Sequence, residues 1–354
     1  MFSFFSCFLL LSLFSSPSNI HARKPPVYMT LNPNNINSSA VKNWHDFVKF
    51  QDATKGSLVN GISKLKNYFN KFGYLDAQNI THFTDIYDSN LELAISKYQE
   101  KMGLPVTQKL DSRTLSELMS PRCGVPDPPK PPHTTKDYVY FTGRPRWNRN
   151  IPMRLTYAFS PQNMITSLSM EDIKGAFKRA FSHWASVIPV TFVESDDYGF
   201  ADIKIGFYYG DHGDGEAFDG VLGILAHAFT PESGRFHLDA AETWAVDFAA
   251  EKADTAVDLE SVATHEIGHL MGLAHTDIKE AVMYPSLKPR ERKVELKIDD
   301  IKGVQSLYGS NPNFRFGSFA ESDMSSNGAF DWRVGGERLI RVKWMMVFVV
   351  WFCM

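Results

Sequence analysis

The sequence predicts an α+β protein in which a small all-α bundle precedes a larger unit of mixed strands and helices. Three observations lead there. Apolar residues recur at helical spacing in three stretches between about residues 56 and 120. A proline-dense segment, 127–135, follows them, and beyond it strand-like alternation and helical spacing interleave to about residue 310. The 354 residues suffice for about two globular domains plus tails. A hydrophobic share of 44% against 22% charged residues is ordinary for a chain that buries real cores. The net charge of -3, with no basic stripe, excludes nucleic acid as an expected partner.

Residues 1–16 are largely apolar, and a polar stretch then ends at Ile20-His21-Ala22, the plan of a secretory signal peptide cleaved near Ala22. The apolar run is shorter than the roughly 20 residues needed to span a bilayer, so a membrane anchor is the weaker reading. Export makes the three cysteines informative. Cys7 lies in the leader and Cys353 next to the last residue, which leaves Cys123 as a lone thiol. A secreted protein keeps such a thiol for a special role or an intermolecular bond. Asn37-Ser38-Ser39 and Asn79-Ile80-Thr81 fit the N-glycosylation sequon, which marks Asn37 and Asn79 as candidate acceptors.

Residues 23–55 are polar and rich in Asn, Ser and Pro, and are expected to be loosely ordered with one short helix. Leu58, Ile62, Leu65, Phe69 and Phe72 then share one helix face. Leu91, Ala94, Ile95, Tyr98 and Met102 share the face of a second helix, which ends at Gly103 and Pro105. Asp111 or Ser112 caps a third helix through Leu115, Leu118 and Met119. The prolines after Asp127 cannot continue a helix and favour extended polyproline geometry, an exposed and cleavable boundary. Past it, residues 154–159, 190–193 and 201–208 read as strands, the last alternating Ile203 and Ile205 with Asp202 and Lys204. Ile173, Phe177, Ala180, Phe181 and Trp184 mark an amphipathic helix. Residues 210–243 are expected to be loop-rich, and helices are expected over 258–274 and 298–308.

The 258–274 helix carries the chemistry. His265 and His269 are four residues apart, so both imidazoles leave one face, a turn apart, and can reach one metal ion. Glu266 follows the first and is placed to hold a water beside the metal. Gly272 ends the helix, since glycine accepts the positive φ of a sharp turn, and the turn returns His275 as a third ligand. Three protein ligands leave one zinc position open for water, the mark of a catalytic site. A bare pair of histidines at this spacing arises often by chance. The added Gly272, His275 and Met283 leave little room for the rival of a helix with exposed histidines. Zinc there would polarise a carbonyl and acidify a water. Glu266 would take the water's proton as general base and return it to the leaving amine as general acid. Met283 is expected to pack beneath the ligands as an apolar floor.

The run from His265 to His275, with Met283 eight residues on, resembles the metzincin signature and its Met-turn. Pro121-Arg122-Cys123-Gly124-Val125-Pro126-Asp127 resembles the cysteine switch of the matrix metalloproteinases. Residues 56–310 as a whole are similar to that family, most like its plant members without a hemopexin-like domain. The resemblance implies a metzincin-type catalytic domain, a twisted mixed sheet with three helices, behind a propeptide bundle resembling a peptidoglycan-binding-like domain. Together with the composition of the two ends, it divides the chain into signal peptide 1–22, propeptide 23–137, catalytic domain 138–310, disordered linker 311–337 and hydrophobic tail 338–354. It implies that the Cys123 thiolate, a soft ligand, fills the fourth zinc position, so that the propeptide is an intramolecular inhibitor. An Arg122–Asp127 ion pair would hold that segment in the cleft.

By the same resemblance His212, Asp214, His227 and His237 hold a structural zinc. Asp219, Asp239 and Glu242, with backbone oxygens of Gly220, Leu222 and Ile224, match a calcium site, since hard oxygen ligands suit that ion. Ala240 and Ala241 stand where the family is often acidic, and the short 231–236 loop argues against a second calcium site at Asp202. The strand near Leu225-Ala226 is implied to be an open edge that pairs with an extended peptide substrate. Ser261, being small, implies an open specificity pocket for a large apolar side chain such as Leu.

Residues 311–337 are rich in Ser, Asn and Gly, and residues 344–354 form an uninterrupted apolar tail. Small residues at 325–328 make the end a candidate GPI signal. The expected function is that of a monomeric, secreted zinc endopeptidase, extracellular or apoplastic, with GPI anchoring at the plasma membrane as a candidate feature. Its substrates would be extracellular or cell-surface proteins. The alternative is a catalytically silent extracellular binding protein that uses the bundle for cell-wall glycan recognition. Such a protein would be expected to lose Glu266 or a zinc histidine, and all are present.

Overall fold

In the computed structural model, which describes residues 44–76, 82–127 and 138–315, helical periodicity and glycine positions set where each element starts and stops. The leader, Asn37, Asn79, Cys7, Cys353, residues 128–137 of the proline-rich segment and the tail with its GPI reading lie outside the described residues. A 3-10 turn, His45–Phe50, opens the bundle, followed by α1 (Ile62–Lys71), α2 (Ser89–Lys101) and α3 (Ser112–Leu118). Side chains cap two of them: Asp88 accepts from the Leu91 amide and Asp111 from the Thr114 amide. Each such cap contributes about 1 kcal/mol. Helix α1 starts later than its apolar spacing suggests. Gly61 has φ +91°, outside helical geometry, so Leu58 falls before the helix and is 77% exposed.

The second unit is built on a six-stranded sheet. Its strands are β1 (Arg122–Cys123), β2 (Met153–Phe159), β3 (Val190–Glu194), β4 (Ile203–Tyr208), β5 (Ile224–Ala228) and β6 (Arg235–Asp239). The spatial order is β1-β5-β6-β4-β2-β3, and only β5 and β6 run antiparallel to each other. Helix α4 (Met170–Val187) packs on α5 (Leu259–Leu270), and α6 (Ile298–Tyr308) closes the unit. A small ladder of β7 (Trp244–Ala245) and β8 (Val257–Asp258) leads into α5.

Two expectations change here. The 210–243 stretch is not merely loop: it contributes β5 and β6 to the sheet. Both strands are buried on both faces, so neither shows the polar–apolar alternation that marks a half-exposed strand. Their histidines also interrupt any apolar run. Helix α5 ends at Leu270 rather than at residue 274. Gly272 adopts φ +98°, and a Cβ there would lie 2.2 Å from the Pro145 carbonyl oxygen. The chain must leave the helix at this point.

Every residue of α5 is buried, which explains why its sequence shows no clear amphipathic stripe. Trp184 of α4 and Trp147 donate their indole N–H groups to the Thr264 and Leu270 carbonyls, each at 2.8 Å. Truncating such a buried tryptophan costs about 3–5 kcal/mol. Gly268 faces Met283, where an added Cβ would lie 2.2 Å from the sulfur. The bundle's core continues into this unit through Phe218, Ile224 and Tyr284.

Gly272→Ala is expected to lower unfolding stability by about 3 kcal/mol, from positive-φ strain plus the Pro145 clash. Gly143→Ala, at φ +84° with nothing within 4 Å, should lose only about 1 kcal/mol. Urea denaturation of both variants checks this, and equal losses would contradict it.

Candidate active site

Three imidazoles converge between α5 and the turn behind it. His265 and His269 project from adjacent turns of α5 and His275 returns after Gly272, so their Nε2 atoms lie 3.1–3.2 Å from one another. Zinc bonds to imidazole of about 2.0–2.1 Å in a tetrahedron imply nitrogen separations of about 3.3 Å, so the set fits the ion. Each ring is oriented from behind. Nδ1 of His265 donates to the Val282 carbonyl at 2.7 Å, Nδ1 of His269 to the Leu273 carbonyl at 2.8 Å, and Nδ1 of His275 to Asp127 at 2.7 Å. A proton fixed on Nδ1 leaves the Nε2 lone pair free for a metal. Burial holds all three rings below the usual imidazole range, His275 at about 4 despite the opposing pull of Asp127. Three neutral lone pairs facing each other at this distance call for a cation.

Cys123 supplies the fourth corner. Its Sγ is 3.4 Å from Nε2 of His269, and it forms one ligand-competent group with the three histidines. Burial, then the nearby Glu266 charge, pushes its thiol up. Glu266 is fully buried beside it, and neither carboxylate oxygen has a hydrogen-bond partner. Burial pushes that carboxyl up to about 8, and the neighbouring Cys123 thiol and Ala228 amide offset only part of the shift. Met283 is 1% exposed and packs against Gly268 of α5.

The switch segment is held as a strand between two walls. On one side β1 pairs in parallel with β5: the Arg122 amide donates to the Gly223 carbonyl at 3.0 Å and the Gly124 amide to Ala226 at 2.8 Å. On the other, the Cys123 amide donates to Pro285 at 2.9 Å and the Leu287 amide to Pro121 at 3.0 Å. The β5 edge expected to be open is therefore occupied in this form of the chain. Gly124 permits the approach, since a Cβ there would lie 2.7 Å from Ile224.

Arg122 and Asp127 meet as the sequence suggests, one guanidinium nitrogen lying 2.9 and 2.8 Å from the two carboxylate oxygens. The guanidinium also lies over Phe72, 3.7 Å from the ring centre, and Tyr74 donates to Asp127 at 2.6 Å. Burial pushes the Asp127 carboxyl up, but Arg122, His275 and Tyr74 outweigh it and hold the group well below the usual range. Sequence reading missed Phe72 and Tyr74 in this role. Their signal was only that of bundle-core residues.

A second cluster joins His212, Asp214, His227 and His237. Asp214 Oδ2 lies 2.8–2.9 Å from all three rings, contacting Nε2 of His212 and His227 but Nδ1 of His237. Burial lowers His227 and His237 to about 4, which leaves them neutral and able to bind a metal. Asp219 and Glu242 lie on adjoining loops and Asp239 ends β6, and the amides of Ile224, Gly220 and Leu222 donate to Asp219, Asp239 and Glu242 in turn. Burial raises all three carboxyls, Asp239 to about 6, and one Glu242 oxygen has no partner. Among the described residues these three carboxylates form no ion pair and do not converge as tightly as the two histidine groups. Asp202 is engaged by Arg149 and Thr156.

A cavity opens beside Cys123, His265 and Glu266 and runs along α5 past Ser261. Ser261 is buried, and its hydroxyl donates to Asp258 and accepts from the Lys293 amide at 2.7 Å. The preceding Glu260, also missed by sequence reading, joins Arg179, His183 and Arg292 at 2.7–3.0 Å, tying α4, α5 and the loop below the cavity together. No spacing in the sequence marks it, because its partners are 32–81 positions away.

Comparison with known proteins adds an independent line. A family model described as Matrixin matches residues 146–309, and one described as a putative peptidoglycan binding domain matches residues 59–118. The chain is 54% identical over 294 residues to Metalloendoproteinase 4-MMP of Arabidopsis thaliana, covering 82% of this chain and 84% of that one. It is 51% identical over 337 residues to Metalloendoproteinase 1-MMP of the same organism, covering 92% and 91%. To human Matrix metalloproteinase-20 it is 37% identical over 253 residues, covering 70% of this chain and 48% of that protein.

The Glu260 cluster generates a pH prediction. Burial raises this carboxyl, but His183 and Arg179 outweigh it and hold it at about 2, below its ordinary 4.5. A carboxyl depressed by folding stabilises fully above its unfolded value and loses that contribution as pH falls toward the folded one. Glu260→Gln should therefore lower the denaturation midpoint near neutrality, and the gap should narrow between about pH 5 and pH 3. Midpoints measured across that range check it, and a gap independent of pH would contradict it.

Proposed function

The chain belongs to the matrixin family and is a zinc metalloendopeptidase of the plant matrix-metalloproteinase type, and we propose that it is a secreted zymogen with Glu266 as its general base. The observation that carries latency is the Cys123 sulfur at the fourth corner of the three-histidine group, on a strand that fills the cleft. In this reading residues 1–22 are the leader, 23–137 the propeptide and 138–310 the catalytic domain. Secretion and a GPI-anchored end rest on the sequence of the two termini alone. Among the described residues no helix is long and apolar enough to cross a membrane. Substrates are proteins or peptides, proposed to be extracellular or cell-surface ones.

Zinc, when bound by His265, His269 and His275, supplies the Lewis acidity that polarises the scissile carbonyl and acidifies a water. The protein's own residues do the rest. Once the switch strand leaves, the freed edge of β5 and the 285–287 wall offer the same backbone groups to an extended substrate. Glu266, buried and without a partner, accepts the proton of the attacking water and delivers it to the leaving amine. Asp127, as the hydrogen-bond partner of His275, makes the latent segment part of the ligand-orienting shell as well as the source of the blocking thiol.

A structural zinc at His212, Asp214, His227 and His237 is supported by their convergence, and calcium at Asp219, Asp239 and Glu242 by two buried carboxylates and a half-buried one that form no ion pair among the described residues. Glycan recognition by the bundle is the rival reading, favoured by the family model matched to residues 59–118. Against it, the bundle's apolar core is completed by Phe218, Ile224 and Tyr284 of the second unit.

The decisive experiment is hydrolysis of a quenched peptide by the secreted full-length protein. Cys123→Ser is expected to be active without prior cleavage, whereas the unmutated protein stays latent until its thiol is modified. Adding Glu266→Ala to Cys123→Ser should keep the zinc but lower kcat by about 10³-fold or more. A Cys123→Ser protein that remains fully latent would overturn the switch. Metal analysis should find about two zinc ions per chain, and His237→Ala should retain about one together with the catalytic site. A single zinc in the unmutated protein would rule out the structural site.

A further inference from the structure

The second histidine group is built half on the sheet and half on a loop. His227 and His237 face each other across the antiparallel β5–β6 pair. His212 and Asp214 stand on the loop 210–218, whose ends are tied by the Phe218 amide donating to the Gly210 carbonyl at 3.0 Å. Within that loop Gly210, Gly213 and Gly215 have φ of +50°, +84° and +87°, and a Cβ on any of them would meet nothing within 4 Å. A backbone of this kind packs little against its surroundings and loses much conformational freedom when ordered. Two of the four side chains are therefore placed only as firmly as the loop is held down.

Two sets of contacts hold it. The Phe218 ring stacks on the imidazoles of His212 and His227, 4.9 and 4.8 Å between ring centres, and so joins the loop to the sheet. The same ring is buried as part of the bundle's apolar core, together with Ile224. Two residues earlier, the Glu216 carboxylate pairs with Lys71, the last residue of α1, at 2.9 Å. The Glu216 amide meanwhile donates to Asp214 Oδ1 at 2.9 Å. Each contact with the bundle thus adjoins a contact with the histidine group. An ion held there leaves only when the loop opens, and opening the loop also breaks the contacts with the bundle.

We propose that the bundle clamps the metal of the second histidine group, with Phe218 and the Lys71–Glu216 pair as positioning residues. This rests on the structural zinc of the peptidase reading and adds that retention of that zinc depends on the bundle. The step that frees the cleft then also loosens a metal remote from the reacting groups, which couples activation to a less stable catalytic unit.

The test follows zinc release from the full-length protein into an excess of a chromogenic chelator. The phase missing in His237→Ala reports the second group, and the remaining phase serves as an internal reference. Lys71→Glu should speed the second-group phase relative to the reference by about threefold, the scale of an exposed ion pair. Adding Glu216→Lys should restore the ratio, because the pair is rebuilt with its charges exchanged. Phe218→Ala removes both the stack and the core contact, and should raise the ratio by about tenfold or more. A ratio unchanged in both Lys71→Glu and Phe218→Ala, with both zinc ions bound at the start, overturns the proposal alone. A single zinc per chain in the unmutated protein overturns the structural zinc and the proposal with it.

Discussion

Three imidazole rings must present unprotonated nitrogens to one point inside the protein, and much of the structure serves that constraint. Neutral rings are secured by burial, and their orientation by a hydrogen bond at each Nδ1. Two of the acceptors are backbone carbonyls, at Val282 and Leu273, placed by the turns that follow α5. The third is a side chain, Asp127, from the segment that also delivers Cys123. Gly268 and Gly272 are the backbone's concessions to this arrangement. One lets Met283 pack against α5, and the other lets the chain turn back past Pro145 to bring in His275.

Asp127 links the bundle to the ligand group electrostatically. A buried carboxylate needs compensation, and here Arg122, Tyr74 and His275 provide it together. Removing one member of such a buried pair costs about 3–5 kcal/mol, because the other charge is left unmatched. In the zymogen reading the bundle is thus a means of holding a short strand in a cleft. The Phe72 ring lies under Arg122, and Tyr284 of the second unit joins the bundle core. In that reading the pairing on β5 that a substrate would use is already satisfied by β1, so the cleft would be blocked as well as the fourth ligand position.

The residues of the three-histidine group were legible in the sequence because their spacing is local. His265, Glu266 and His269 sit within two turns of one helix, and the glycine that ends it predicts where His275 must return. Cys123 stood out by being alone, and Arg122 and Asp127 by the motif around it. Bundle helices α2 and α3 were likewise readable from periodicity and from Asp111 as a cap. Leu58 was misplaced because an apolar spacing does not reveal that Gly61 breaks the helix after it.

What the sequence determined by itself was therefore which side chains are of a type and spacing to gather around one metal ion, His265, His269 and His275 with Cys123. These follow from residue type and short-range spacing, which a helix converts directly into geometry. Tertiary structure alone decided that β5 and β6 are strands, that Asp127 orients His275, and that Glu260 and Ser261 bind Arg292 and Lys293. Each of those depends on burial from both sides or on partners from 32 to 148 positions apart. Such contacts exist only once the core has brought distant segments together, and no local pattern in the chain records them.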